Sequence, residues 1–349
     1  MKLVHNSPLA NYTSLRVGGP AGNLIQTEDG DNLVQIIDGQ APEPVWVLGY
    51  GTNCLISDNG LPGTVILNQT GGIDELSETR FKVESGANWD DFVQLAIAKN
   101  LWGLEFMSGI PGGVGAAVAG NIAAYGHKVA DIFIEATMLN TKDGTVEVWP
   151  KENFKFDYRA SALQQPSNAH QVVLDATFQL SPAPAGELEY ESALKVAGEL
   201  GLKPDSLTNR RQIILKTRDR AGSLLQNPAG GPWTAGSFFK NPLVGESQVQ
   251  AIISHEETGV TREQLLRQNL IHGQDKARVS AAHVLLAAGF KRGQSWGQVR
   301  LHPDHILKVE NMGRATAKEI YDVVQEILTT VKGKLDVNLE PEVRFLGEF

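Results

Sequence analysis

Ile110-Pro111-Gly112-Gly113-Val114-Gly115-Ala116-Ala117 leads through Val118 and Ala119 into Gly120-Asn121-Ile122-Ala123-Ala124-Tyr125-Gly126. Side chains this small let backbone N–H groups approach a partner closely, and the start of a helix favours negative charge there. The same density of small residues suits tight packing of a helix on a strand, so this loop alone leaves both readings open. A second loop of the kind, Leu48-Gly49-Tyr50-Gly51-Thr52-Asn53, ends the apolar run Val45-Trp46-Val47. Neither has the dinucleotide spacing: Gly49-x-Gly51 lacks the third glycine, and Gly113-x-Gly115 meets Val118 where Gly or Ala is needed. No P-loop sequence occurs. Two anion-cradling loops without that spacing point to a flavin nucleotide held between two small domains.

The chain has 349 residues, 42% of them apolar, which predicts two or three domains, each with its own core. A net charge of −9 argues against nucleic acid or an anionic membrane as the main partner, while a few local cations can still bind phosphate. The start, Met1 to Pro8, lacks the apolar stretch of a secretory signal, and no apolar run reaches the length of a membrane span. The single cysteine, Cys54, excludes an internal disulfide and any multi-Cys metal site. These features predict a cytoplasmic enzyme.

Outward from the loops, the pattern alternates short strands and helices. Leu33, Ile36 and Ile37 mark a short helix, and strands are predicted at 45–48, 64–67, 81–83, 132–139 and 172–180. Asn88 can cap a helix carrying Phe92, Leu95 and Ala96. Ser181 to Gly186 is a turn-rich insertion before helices predicted over 192–200 and 207–216. Thr261-x-x-Gln264 and Thr316-x-x-Glu319 read as capping boxes. The second opens a helix with Ile320, Val323, Val324, Ile327, Leu328 and Val331 on one face. A last strand is predicted over 335–339. Beyond it, alternation sets Val343 and Phe345 on one side and Glu340, Glu342 and Arg344 on the other.

Two motifs fail on context. Gly293-Gln294-Ser295-Trp296-Gly297 matches a nucleophile elbow but follows a helix end and precedes no helix. His302-x-x-His305 lacks an acidic companion, and Pro303 opposes a helix there, so no metal site is expected.

Five stretches together are similar to UDP-N-acetylenolpyruvoylglucosamine reductases, the UDP-N-acetylmuramate dehydrogenase family. Gly49-Tyr50-Gly51-Thr52-Asn53-Cys54-Leu55 resembles the first FAD loop, with Thr52 where serine is usual. Ile110-Pro111-Gly112-Gly113-Val114-Gly115 through Asn121, Ala124, Tyr125 and Gly126 resembles the second. Tyr158-Arg159, Gly236-Ser237-Phe238-Phe239-Lys240-Asn241-Pro242 and Leu339-Glu340-Pro341-Glu342-Val343-Arg344 match the active-site segments, in family order. The resemblance implies an α+β fold: a two-part FAD-binding domain of the vanillyl-alcohol oxidase type and a separate α+β substrate domain. The division expected is 1–70 with 334–349, then 71–222, then 223–333.

It also implies a reaction: FAD reduced by NADPH, then hydride to the β-carbon of an enolpyruvyl ether and a proton to the α-carbon. The second negative charge growing on the carboxylate needs preorganised partners. Arg159 offers a planar donor pair. Glu342 can assist only when protonated, a form favoured by burial beside the substrate carboxylate. Ser237 is the implied proton donor, and so weak an acid needs a polarising neighbour such as Lys240 or a water relay. Lys240, Asn241, Arg278, Arg292 and His305 are implied for the UDP-sugar, and Tyr190 for a covering loop of the longer subclass. Where many members have a lysine followed by Leu-Pro-Asp-Pro, this chain reads Lys216-Thr217-Arg218-Asp219-Arg220, and Arg218 or Arg220 are the candidates to replace it. The partners expected are the UDP-sugar and NADPH, with no nucleic acid or membrane, for a monomer. Two other readings compete: an FAD oxidase of the same fold with another substrate, and a catalytically silent flavin- or nucleotide-sugar-binding regulator.

Overall fold

Asn88 caps the helix Trp89–Ala98 as its position predicts, its Oδ1 accepting from the N–H groups of Asp90 (2.9 Å) and Asp91 (3.2 Å). Such a cap contributes about 1 kcal/mol. The helix buries Trp89, Phe92, Val93 and Ala96, one stripe at helical spacing, against Phe81 and Phe178 of neighbouring strands. Each ring fully removed from water is worth about 1.5–3 kcal/mol, so this aromatic cluster anchors the local core. The structure is a computed structural model and describes residues 2–38, 41–184, 186–224, 230–255, 258–266 and 277–349.

The chain divides into two compact units. The first comprises 1–7, 21–50 and 62–224, and the second 8–20, 51–61 and 225–349. In the first, a four-stranded sheet has the order Lys2–Pro8, Pro20–Thr27, Leu61–Asn68, Val45–Leu48, the last two parallel. An antiparallel five-stranded sheet has the order Val146–Pro150, Phe133–Asn140, Gln171–Gln179, Arg80–Glu84, Ile73–Glu75. Ile25, Leu33, Ile36, Ile37 and Ile66 of the first sheet and its helix Gly30–Asp38 share a core with Leu139 of the second. Helices Glu191–Leu200 and Leu207–Arg220 pack on each other through Ala193, Val196, Ala197, Ile213 and Ile214.

The second unit carries an antiparallel sheet ordered Trp233–Ser237, Lys308–Asn311, Val299–Leu301, Ser295–Trp296. The would-be nucleophile elbow is therefore a hairpin strand. The helix Ala317–Leu335 closes a large core with Ile320, Val324, Ile327 and Val331 fully buried. Its capping box forms: Glu319 N–H donates to Thr316 Oγ1 (3.1 Å), and Thr316 N–H to Glu319 Oε2 (2.8 Å). Asp58 adds a second cap from far away in sequence, accepting from Ala317 N–H (2.9 Å) and Lys318 N–H (2.8 Å). The Thr261–Gln264 box also forms, at 3.0 and 3.2 Å.

Two expectations need correction. Helix 207–216 runs on to Arg220. The strand predicted over 335–339 does not form: Leu335 ends the helix, Asp336 stops it at φ 52°, and the chain becomes a strand only at Arg344–Leu346. Val337 and Leu339 are buried, but among the described residues no strand pairs with them. The final strand pairs in parallel with Cys54–Ile56. Residues 8–20 and 51–61 thus join the C-terminal unit, because Leu15, Val17 and Leu55 enter its core.

Candidate active site

Tyr158 and Arg159 form the tip of a tight turn closed by both backbone bonds between Asp157 and Ala160, at 3.1 and 3.2 Å. Arg159 has φ 50°, a left-handed backbone that costs a non-glycine residue about 1–2 kcal/mol. The surroundings hold it there. Asn121 Nδ2 donates to Asp157 O (2.8 Å), Ser161 Oγ to Ala119 O (2.7 Å), and Gln164 Nε2 to Arg159 O (3.3 Å). Asn121 Oδ1 also accepts from Ala130 N–H (3.0 Å). The side chain of Asn121, expected at the cofactor, is committed to building the Arg159 turn.

Tyr125 (φ 50°) and Gly126 (φ 86°) make the two-residue turn between strands Ala123–Ala124 and His127–Lys128. The Tyr125 ring meets the Tyr190 ring edge-on at 5.3 Å. Burial raises the pKa of both phenols; Arg218 opposes the shift at Tyr125 and Arg159 opposes it at Tyr190. Arg218, brought inward by the extra helical turn, therefore shares electrostatic range with Arg159 and Tyr125. Burial, with Arg159 adding to it, presses the Arg218 pKa down against the pull of Tyr125 and Asp90; a guanidinium stays charged regardless. Arg218 Nη2 donates to Ser223 O (2.9 Å), while its buried Nε has no hydrogen-bond partner among the described residues. Arg220 points elsewhere, to an exposed pair with Glu199. Of the two arginines that could replace the missing lysine, only Arg218 joins the Arg159 cluster.

The second glycine loop is held from below. Asp90 binds Arg211 through both oxygens (2.7 Å each) and accepts from Gly109 N–H (2.7 Å). Burial works against the Asp90 charge, yet these bonds keep its carboxyl below the usual range. Ile110 lies partly buried against the core; the N–H groups of Gly112 and Gly113 donate to no described residue. A Cβ on Gly113 would stand 2.9 Å from Ser85 O and 3.5 Å from the Tyr50 ring. Val114 is fully buried, and Gly115 donates to Ser85 O (2.8 Å). In the first loop, Gly51 has φ 59°, and a Cβ there would lie 1.9 Å from Tyr12 O. Side chains of Cys54 and Leu55 face the core, and burial lifts the Cys54 thiol to about 12, so it is no nucleophile. The N–H groups of Gly49, Tyr50, Thr52 and Asn53 have no described acceptor. Bare backbone donors are what a flavin nucleotide's pyrophosphate requires, and the residues of each loop, taken by itself, fit that group.

In the second unit, Ser237 ends its strand just after a bulge at Gly236 (φ 83°). Glu342 N–H donates to Phe238 O (2.8 Å), and Lys240 N–H to Glu340 O (2.9 Å), so the serine and glutamate segments run side by side. Asn53 Nδ2 donates to Glu342 O (3.1 Å), and Asn53 O accepts from Arg344 N–H (3.1 Å). Lys240 Nζ lies 3.8 Å from Glu340 Oε2. Arg278 Nη1 donates to Asn241 O (2.7 Å), and Asn241 Oδ1 accepts from Ala281 N–H (2.9 Å). His305 is pressed down to about 4, by burial first and then by the Lys308 ammonium, which makes it neutral near pH 7; its buried Nδ1 has no described partner. Arg292 is exposed, and its charge reaches both His305 and His283. Ser237, Glu342 and Lys240 are thus gathered in one unit, and Arg159, Tyr125 and Tyr190 in the other. Among the described residues no group of His, Cys, Asp and Glu could hold a metal ion.

An FAD-binding domain pattern matches residues 26–149, and the pattern of the UDP-N-acetylenolpyruvoylglucosamine reductase C-terminal domain matches residues 220–346. The expected class, an FAD-binding domain followed by a separate α+β domain, stands. The chain is 32% identical to the Saccharopolyspora erythraea UDP-N-acetylenolpyruvoylglucosamine reductase, over 96% of this chain and 93% of that protein. It is 31% identical to the Mycolicibacterium gilvum enzyme of that name, over 99% and 96%. The crystal structure of the Thermus caldophilus UDP-N-acetylenolpyruvylglucosamine reductase superposes with a TM-score of 0.65 at 25% identity, covering 99% of this chain and 100% of that one. Glycine loops with bare donors, a braced arginine turn and a serine beside a returning glutamate accompany similarity over almost the full length, and this chain belongs to the UDP-N-acetylenolpyruvoylglucosamine reductase family.

Proposed function

We propose that this chain reduces the enolpyruvyl group of UDP-N-acetylglucosamine enolpyruvate to UDP-N-acetylmuramate, an NADPH-dependent step in making peptidoglycan precursor. The glycine loops would hold FAD, which when bound would supply the hydride for the β-carbon, drawn from NADPH. The chain's own residues do the rest. Arg159, held in its strained turn, presents a guanidinium to the substrate carboxylate, where charge grows as the hydride arrives. Glu342 meets the same carboxylate. Ser237 gives its hydroxyl proton to the α-carbon.

Asn241, Arg278, Arg292, His305 and Lys240 hold the uridine diphosphate and sugar. The neutral imidazole of His305 serves as a hydrogen-bonding group there, not as a charge. Tyr190 and the insertion before it cover the substrate and exclude water, as in the longer subclass of the family. Arg218 stands in for the lysine this chain lacks. The enzyme works as a cytoplasmic monomer.

The observation that carries this reading is the bond from Glu342 N–H to Phe238 O, which sets the glutamate beside the serine-bearing segment. Stopped-flow absorbance of the flavin tests it. NADPH should bleach the yellow enzyme, and the enolpyruvyl sugar should restore the colour. Ser237→Ala should leave bleaching intact and slow recolouring about 10²–10⁴-fold; an unchanged rate of recolouring rejects the role of Ser237.

A further inference from the structure

A serine hydroxyl cannot give up a proton unaided near neutral pH, and the residue that helps it has not been identified by the sequence. Lys240, three residues on in the chain, is drawn towards Glu340. The sheet of the second unit offers another cation. Ser237 lies directly opposite Lys308 on the neighbouring antiparallel strand, and the next pair along is bonded through Phe238 N–H to Leu307 O (2.7 Å). That makes Ser237 and Lys308 a pair between hydrogen bonds, the kind whose side chains stand closest, with Cβ atoms about 4.5–5.5 Å apart on one face.

The same face carries Glu310, two residues on from Lys308, and Arg300, which is opposite Glu310. The reverse face carries Val299, Leu301 and Val309, all in the core. Lys308 is 1% exposed and Glu310 2%. A lysine this buried is uncommon without a reason, since removing its charge from water is costly. Glu310 is already matched: Arg300 donates to its Oε2 through Nε (3.0 Å) and Nη2 (2.6 Å), and His302 Nε2 lies 3.7 Å from Oε1. The cationic effect of Lys308 on its surroundings is felt at His305, where it depresses the imidazole.

We propose that Lys308 is the positioning residue that makes Ser237 a usable acid: its buried ammonium, cross-strand from the hydroxyl, stabilises the alkoxide left when the proton departs. This rests on the reading of Ser237 as proton donor. The Oγ–H bond breaks as the C–H bond forms at the α-carbon; the alkoxide then regains a proton from solvent, and no oxidant or reductant beyond the reduced flavin is needed. Among the described residues, charged or titratable groups that the contacts place near the pair include Glu310, Arg300, His302 and His305 from its own sheet and the loop before it, and Lys240, Glu340 and Glu342 from the segment beside Ser237.

The test replaces Ser237 by cysteine in the full FAD-loaded protein and follows iodoacetamide alkylation from pH 5 to 10. The buried Cys54 thiol stays unreactive, which parent protein treated alike verifies. With Lys308 present the thiol at 237 should titrate well below the ordinary value of about 8.5. In the Ser237→Cys, Lys308→Met variant the midpoint should rise by about one unit, with alkylation at pH 7 about tenfold slower; Lys308→Met alone should slow flavin recolouring about tenfold or more, in kcat and not KM. A midpoint at or above 8.5 in the single cysteine variant overturns the proposal, even where the methionine variant fails to fold. So does a midpoint that Lys308→Met does not move. Should Ser237→Ala recolour at the parent rate, the donor reading fails instead, whatever the thiol titration gives.

Discussion

Replacing Arg210 by methionine should destabilise the first unit by about 3–5 kcal/mol, the cost of stranding a buried charge. The Arg210 side chain is 5% exposed and that of Glu105 1%. Arg210 Nη1 donates to Glu105 Oε1 (3.0 Å), Nε to Pro204 O (2.8 Å) and Nη2 to Gly186 O (2.8 Å). Its guanidinium carbon lies 4.9 Å from the ring centroids of Trp102 and Phe106. Methionine refills the stem's volume against those rings, so packing changes little and the loss falls on the charge. Glu105 would keep its bond from Gly103 N–H (2.8 Å), but its other oxygen would face a dry interior with no counter-charge. Denaturant unfolding should show the midpoint falling with the slope unchanged. Adding Glu105→Gln to Arg210→Met should recover most of the loss, because no ion is then buried. A single variant within about 1 kcal/mol of the parent, or a double variant no better than the single, would refute the reasoning. Because Gly186 stands shortly before Tyr190, the single variant should also raise KM for the sugar more than it lowers kcat.

Other outcomes follow from single contacts. Asp58→Ala removes both tertiary bonds at the start of helix Ala317–Leu335 and should cost about 1–2 kcal/mol in thermal or denaturant unfolding, whereas Asp58→Asn should cost less. Gly51→Ala sets a Cβ against Tyr12 O at φ 59°, so the purified variant should be paler and lose flavin on dilution, as read by the ratio of visible to ultraviolet absorbance. His305 is held at about 4 in the folded protein, against about 6.5 for an ordinary imidazole; the unfolded chain therefore binds the extra proton first. Its contribution to stability is complete above about pH 6.5 and is lost as pH falls towards 4, of the order of 3 kcal/mol at most, and a His305→Gln variant should show a correspondingly flatter stability curve over that window.

Much of the local structure was legible because it depends on near neighbours. Asn88, the Thr316–Glu319 box and the stripe from Ile320 to Val331 act over three to four residues, and the helices begin where those signals stand. The glycine loops could be recognised for the same reason: what a backbone can approach depends first on its own side chains. Local signals failed at the ends of elements. Helix propensity could not say that Leu207–Arg220 would keep its last turn, nor could a local strand pattern say that 335–339 would find no partner strand among the described residues.

By itself, then, the sequence determined the class of fold, the two loops suited to a flavin nucleotide, and the identities of Arg159, Ser237 and Glu342 as candidate chemistry. Only the tertiary structure decided that Arg218 and not Arg220 joins Arg159, that Asn121 braces the arginine turn, that Asp58 caps a distant helix, and that Lys308 lies across from Ser237. Periodicity and capping are set by steric and hydrogen-bonding rules within a few residues of one chain. Strand register and the company kept by a buried charge depend on which remote segments meet, a choice made by the burial of the whole core.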